Sequence, residues 1–529
     1  MKNWLNRLLG KQPQQTISVV WDAQLPSIYA RLEQTYAQPR PLAEDNHVLE
    51  NQPLGDSDET FWAPGALEGT MIYHFGAGSD DPGTDKILLA LKQVLAKPGI
   101  QTMQRLYLLI NQDSPLYYID ELMKAIAESP DLQADRLHDL VLSLCTQSPD
   151  RNAVKFAMAL MAFFPGQRSV EVLQVLGRHD EFTLYAVVAM RSMIEPEQYA
   201  AIWFAMAQRV NGWGRIHLME RIPDALNETM RQWLLREGFA NSVMNEYTAL
   251  NCALRGGLVD ALATEYDDPL LLGAAEMLYV LISEGPVAGM SAYDDGGKAC
   301  MLYLQSVLAH QPAHPLHYLT ARNLGEWANC EKSLDTTTSS QLVAMSAEVL
   351  ALAMWDEVTT QALAGEEAYL FNLAIEVCRH RQEDPFPDLF ARQRDNPESM
   401  LWYQLMQTDD AVQASQVCFL AETQFDLKEM ASGPALSSGM GPKWAAQRNL
   451  DAVLQELKRF PEMGWPLLEA ALKSPVIRNR QMAINALEMW PFDSLSVHGP
   501  YIEECVDTEP HKEVQERLKK LRDRLSSAR

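Results

Sequence analysis

Residues 474–490 read "SPVIRNRQMAINALEMW", and their spacing decides the fold. Ser474 and Pro475 supply the polar start and early proline that open a helix. Ala483, Ala486 and Leu487 then share a face, with alanines where a neighbouring helix must come close. Arg480 is expected to pair with an acid of the adjacent repeat. The same helical period governs the chain from Lys86 onward. "DKILLALKQVLAK" (85–97), "YYIDELMKAIAES" (117–129), "LQADRLHDLVLSLCTQ" (132–147), "DRNAVKFAMALMAFF" (150–164) and "FTLYAVVAMRSM" (182–193) each place apolar residues at i, i+3, i+4 and i+7. Polar or proline starts such as "SPDR" at 148, "RHDEF" at 178, "DDPL" at 267 and "AHPLH" at 313 punctuate them. No strand-like alternation and no βαβ rhythm is present.

Paired helices recurring every few tens of residues are the mark of an α-solenoid. The 474–490 stretch resembles the second helix of a HEAT repeat, a valine and arginine followed by A-x-x-A-L. Arg480, Ala483, Ala486 and Leu487 fit, whereas Asn479 stands where the valine would be, and 152–160 keeps only part of the pattern. The expected fold is therefore all-α, a HEAT/armadillo-like superhelix with a loop-rich N-terminal segment. Four parts are expected: an N-terminal segment packed on the body (1–85), a repeat array (86–430), a Gly/Ser/Pro linker (431–444), and a C-terminal repeat with a cap helix (445–529). Residues 39–85 lose the helical period, yet carry Phe61, Trp62, Met71, Ile72, Tyr73 and Phe75. A disordered linker would be poor in such residues, so an ordered loop is expected there. In the final helix Val514, Leu518, Leu521 and Leu525 form one narrow stripe, fitting a cap.

Composition excludes several classes. The 529 residues carry 44 Lys and Arg against 70 Asp and Glu, a formal charge of −26, which disfavours nucleic acid as a partner. The seven cysteines never form a C-x-x-C pair, so neither a disulfide framework nor a zinc finger is encoded. A reducing, cytoplasmic setting follows. The opening "MKNWLNRLLGKQ" is too short in its apolar run for a signal peptide, and no apolar run long enough to span a membrane follows.

The most distinctive stretch is 211–257, "NGWGRIHLMERIPDALNETMRQWLLREGFANSVMNEYTALNCALRGG". It predicts helices at 214–221, 226–237 and 241–254. Arg215 lies in the first turn of its helix, where a cation is disfavoured, and projects to the apolar side. One reading makes it a fastener, bound to the carboxylate of Glu246 or Glu237. The other makes Trp213, Arg215, His217, Arg221, Arg236, Asn245 and Glu246 a concave surface for a protein partner.

Catalytic motifs are hard to find. "GSDDPGTDK" (78–86) lacks the Gly-Lys-Ser/Thr ending of a phosphate loop, and "HFGAGSD" lacks the full dinucleotide fingerprint. His310, His314 and His317 cluster around two prolines, as at a repeat boundary, and Glu44 with His47 gives a single E-x-x-H. No cofactor is expected. Three stretches, "FWAPGALEG" (61–69), "GWGRIHLMERI" with "WLLREGFANSVMNEY" (212–247), and "SGMGPKW" leading to 474–490, resemble a poorly characterised bacterial family often labelled limonene hydroxylase. That resemblance implies a nicotinamide-dependent monooxygenase, but supplies no catalytic residue, and the chain shows no flavin, nicotinamide, haem or iron motif. The reading is a non-catalytic scaffold that binds a protein partner. An oxidoreductase and a nucleic-acid-binding protein are the alternatives.

Overall fold

A computed structural model describes residues 17–38, 40–42, 49, 62–76, 83–264 and 267–526. Glu44 and His47, the opening twelve residues and most of the 39–61 stretch lie outside the described residues. Every regular element among the described residues is helical; one isolated bridge joins Ser437 to Val476. The chain divides into two units, the first containing 62–355 and the second 356–529.

In the first unit, Ile28–Thr35 (α1) precedes a short strap, Ala66–Thr70 (α2), that continues as a π-helical turn, Met71–Phe75. The body follows: Thr84–Ala96 (α3), Ile100–Gln112 (α4), Ile119–Ala127 (α5), Ala134–Gln147 (α6), Arg151–Met161 (α7), Gln167–Leu176 (α8) and Asp180–Met193 (α9). Pro196–Ala207 (α10), Gly212–Met219 (α11), Glu228–Trp233 (α12), Glu246–Gly256 (α13), Leu258–Thr264 (α14), Asp268–Ile282 (α15), Gly296–His310 (α16), Pro315–Cys330 (α17) and Thr336–Leu350 (α18) complete it. Alternate helices pack side by side. α7, α9, α11, α13, α15 and α17 make one row, α14, α16 and α18 belong to a second, and helices of the two rows pack crosswise. This two-row stack is an α-solenoid built of helical repeats.

The second unit contains Ala368–His380 (α20, after Trp355–Ala364, α19), Phe386–Asp395 (α21), Trp402–Leu405 (α22), Ala411–Gln424 (α23) and Leu427–Met430 (α24). Ala445–Leu454 (α25), Trp465–Leu472 (α26), Ile477–Leu487 (α27), Phe492–Ser496 (α28), Gly499–Thr508 (α29) and Lys512–Ser526 (α30) follow. One apolar core runs through it from Phe371 to Leu521. In α30 Val514, Leu518 and Leu521 are buried and Leu525 partly so, which closes that core. The 431–444 stretch lies inside this unit.

The repeat period is written in the hydrogen bonds. Side chains reach the next repeat at a separation of 31 or 32 residues: Arg236 to Asp267, Asn245 to Glu276 and Asn251 to Glu220 in the first unit. In the second, Gln404 meets Asn372, Gln393 meets Gln424, Tyr501 meets Glu469 and Arg517 meets Asn485 at the same intervals. Near the start of the body the interval lengthens to about forty, as between Arg136 and Leu95 or Ala153 and Asn111.

Arg480 behaves as the sequence suggested. It is fully buried and grips both carboxylate oxygens of Glu509, at 2.7 and 2.9 Å, in the following repeat. Its remaining donors reach the carbonyls of Ser474 and of Ala435 in the 431–444 stretch. Asn479, the departure from the repeat pattern, is also buried. Its amide donates to Gln447 O and Asp451 Oδ1, so a polar residue joins two repeats where a valine would only fill space. Replacing Arg480 by Ala would leave Glu509 buried and unpaired, and is expected to destabilise the chain by about 3–5 kcal/mol. Equilibrium denaturation of Arg480→Ala beside the Arg480→Met/Glu509→Leu double variant measures this, and the double variant is expected to recover most of the loss.

Candidate functional site

The stretch 211–257 folds differently in detail from its sequence pattern. The third helix begins at Glu246 instead of 241, because Asn241 and Asn245 form a turn: Asn245 Oδ1 accepts from Asn241 N, and Asn241 Oδ1 from Val243 N. The second helix runs from Glu228 to Trp233 and continues as a π-helical turn, Leu234–Gly238.

Arg215 answers its own helix by leaving it. Its guanidinium donates to the carbonyls of Val210 (2.9 Å), Ala240 (2.7 Å), Ala207 (3.3 Å) and Glu237 (3.4 Å), and lies over the Trp233 ring. Ala207 ends α10, and Glu237 lies in the π-helical turn. A cation unwelcome at one helix start is placed at the ends of two others, where unpaired carbonyls carry partial negative charge. The acceptors are main-chain carbonyls and not the carboxylates of Glu237 or Glu246.

The other candidate surface residues differ in exposure and partners. His217 is fully buried. Trp213 packs on Tyr247 at 5.3 Å and against Gly69 of the strap. Arg236 pairs with Asp267 and Gln232, Asn245 holds its turn, and Arg221 donates to His217 O. The Glu246 side chain lies against Gly285. His217 is enclosed, and the other six residues are half-buried, with part of each side chain at the surface.

His217 leads to a centre that sequence reading passed over. Lys155, fully buried on α7, places Nζ 2.6 Å from Glu68 Oε1 of the strap and 2.6 Å from Glu181 Oε1 of α9. Ser114 Oγ (2.9 Å) and Tyr185 Oη (3.4 Å) also donate to Glu68, while Glu181 accepts from Gly65 N (2.9 Å) and Arg151 (3.4 Å). The side chains of Glu68 and Lys155 are each only 2% exposed. The strap therefore docks through a buried charge, and its glycines permit the approach. A Cβ on Gly65 would sit 2.7 Å from Asp180 O, and one on Gly69 2.1 Å from the Trp213 ring. At the far end His74 Nε2 meets Tyr247 Oη at 2.7 Å.

Electrostatics sort these groups into charged and neutral. Burial works against the Lys155 ammonium, but Glu181 and Glu68 more than offset it and hold its pKa above the usual lysine value. Burial likewise opposes ionisation of Glu181, yet Lys155 and Arg151 hold it below the usual carboxylate range. Asp180 goes the other way. Burial pushes it up to about 8 and Glu181 adds to this, against the N–H groups of Gly214 and Trp213 and the charge of Arg215. Burial, with Arg221 and Lys155, pushes His217 down to about 3. Burial thus favours the neutral forms of Asp180 and His217, whereas Lys155 and Glu181 hold each other in the charged form. The balance is what makes the burial tolerable.

Of the three histidines of "HQPAHPLH", His314 and His317 meet edge to face with ring centroids 6.0 Å apart. His310 pairs with Asp268, His314 caps α17, and His317 is buried against Tyr303.

No known protein family matches the chain, and no curated protein does. The resemblance to the family labelled limonene hydroxylase gains no support there. Among solved structures the chain is similar to a circular tandem repeat protein with novel repeat topology and enhanced subunit contact surfaces, 14% identical over 84% of this chain and 94% of that one, with a TM-score of 0.12. At that score the likeness carries no argument. The repeat assignment rests on the helical stacking and bond register of the chain itself.

Gly69→Ala drives a methyl into the Trp213 ring, and strain of this kind costs about 1–3 kcal/mol. A lowered denaturation midpoint together with changed tryptophan emission is expected. An unshifted midpoint would mean that the strap does not pack as described.

Proposed function

We propose that the protein is a non-catalytic helical-repeat scaffold in the cytoplasm that holds a protein partner with a basic rim. The observation that carries this reading is the outer face of α23. Its inner side packs Ala414, Val417, Cys418 and Ala421 into the core. Its outer side presents Val412, Ser415, Gln416, Phe419 and Thr423, with Val412 66% and Phe419 70% exposed. A helix apolar or neutral on both sides in a chain of net charge −26 is suited to a second neighbour. The excess of acidic over basic residues in the chain favours a basic surround.

Supporting the same reading, the strongest cluster of titratable groups is sealed beneath the strap. No helix among the described residues is long and apolar enough to cross a membrane. The oxygenase and nucleic-acid alternatives have no observation in their favour.

Affinity capture with the wild-type chain, with Phe419→Asp and with Val412→Asp tests this. A partner retained by the wild type and lost by both variants, at unchanged melting temperature and with salt-sensitive retention, is expected. Equal capture by all three chains, or monoterpene oxidation by the purified chain with a nicotinamide cofactor, would contradict it.

A further inference from the structure

Two arginines and two tyrosines gather where α9 and α11 end, α10 begins and the strap runs out. Arg191 stands in the last turn of α9, exposed, and among the described residues it has neither a hydrogen-bond nor an ion-pair partner. Arg221 follows α11, half-buried, and gives one donor to His217 O at 3.2 Å. Both act on the hydroxyl of Tyr199, in the first turns of α10. Burial raises that hydroxyl to about 12, and the two guanidinium charges, with no carboxylate among the causes, pull it back. Tyr199 is 4% exposed, and its hydroxyl has no hydrogen-bond partner. The hydroxyl of Tyr73, in the π-helical turn of the strap, is likewise buried without a partner. Burial raises it too, and the charges of Glu220 and Arg221 oppose each other there. The Glu220 carboxylate is engaged by Asn251 Nδ2 at 3.1 Å.

Helix ends account for the cations, since the last carbonyls of α9 and α11 carry partial negative charge. They do not account for two hydroxyls sealed from water without an acceptor. Buried polar groups are almost always paired, and a buried donor that is not calls for an acceptor. Each open group here is a donor, and the charges acting on Tyr199 are positive in a chain of net charge −26. The acceptor is therefore an anion. Two guanidiniums and two phenolic hydroxyls offer more donors than the two oxygens of a carboxylate can take. A phosphate group presents at least three oxygens and up to two charges, and its oxygens match the planar arginine fork.

We propose that Arg191, Arg221, Tyr199 and Tyr73 form a binding site for a phosphate group, entered from the exposed side of Arg191, with the two hydroxyls at its base. Free phosphate and a phosphorylated side chain carry the same chemistry, and in either case whatever bears the group stays at the surface. The site belongs to the first unit and does not depend on the α23 face.

Calorimetric titration of the full chain at constant ionic strength, with inorganic phosphate, with N-acetyl phosphoserine amide and with acetate, tests the site. Saturable binding of the first two is expected. It should weaken about tenfold or more in Arg191→Gln and in Tyr199→Phe, and stay unchanged in Arg394→Gln, which removes an equal charge from the second unit. Without phosphate, Tyr199→Phe should melt no lower than the wild type, because the hydroxyl it removes is buried and unpartnered. Tighter binding of the phosphoserine amide supports the site with a phosphorylated side chain as its source, and tighter binding of inorganic phosphate supports it with the free ion. No saturable binding, acetate bound as tightly, or Arg191→Gln binding as the wild type does overturns the proposal. A clear loss of stability in Tyr199→Phe would show that the hydroxyl is already paired, and overturns its place in the site.

Discussion

The structure depends on arginines that donate to main-chain carbonyls at or just beyond the ends of helices in a neighbouring repeat. Arg136 reaches Leu95 O, Arg255 Pro223 O, Arg392 the carbonyls of Gly365 and Glu366, Arg459 Met406 O, and Arg524 the carbonyls of Glu488 and Trp490. Arg178, almost fully buried, holds the carbonyls of Tyr36, Gln38 and Arg40 in the same way. Every helix ends with carbonyls that its own turns cannot satisfy, and a planar guanidinium presents several donors at once. In a stack of short helices such ends recur in every repeat. Stacking by apolar stripes alone would fix which faces meet but not how far one helix slides along the next. The arginine contacts supply that register, and the 31-residue ladder of amide and carboxylate pairs repeats it.

The same economy explains the centre around Lys155. Its helix, α7, is buried along its length from Ala153 to Met161, so a lysine within it needs a partner from outside the row. The strap supplies that partner as Glu68, and α9 supplies Glu181 from a helix start, where a carboxylate is favoured. What holds the strap to the repeat array is therefore a buried ion pair, Lys155 with Glu68 and Glu181.

Much of the architecture was legible in the sequence, because helical period and helix starts are local properties. Arg480 and its acid partner could be read from one repeat pattern, and the cap stripe of the last helix from another. Register was less visible: the ladder joins residues such as Asn245 and Glu276, whose types are common on any helix surface. Arg215 showed an anomaly without showing its cure, since main-chain carbonyls leave no mark in composition. The Lys155 centre was missed although a signal existed. A lone lysine stands amid "AVKFAMALM", and a lone glutamate in the glycine-bearing "APGALEG", but only folding brings residues 87 positions apart together. His217 was read as a surface group because the strap that buries it lies about 150 residues away in sequence.

Equilibrium unfolding of an arginine-to-lysine series tests the central claim most directly. Lysine keeps the charge but not the planar fork, so Arg136→Lys, Arg215→Lys, Arg392→Lys, Arg459→Lys and Arg524→Lys should each lose about 1–3 kcal/mol. Arg394, which is exposed and pairs only with its neighbour Asp395, serves as the reference and should show no measurable change. A series in which the capping arginines tolerate lysine as well as Arg394 does would contradict the account.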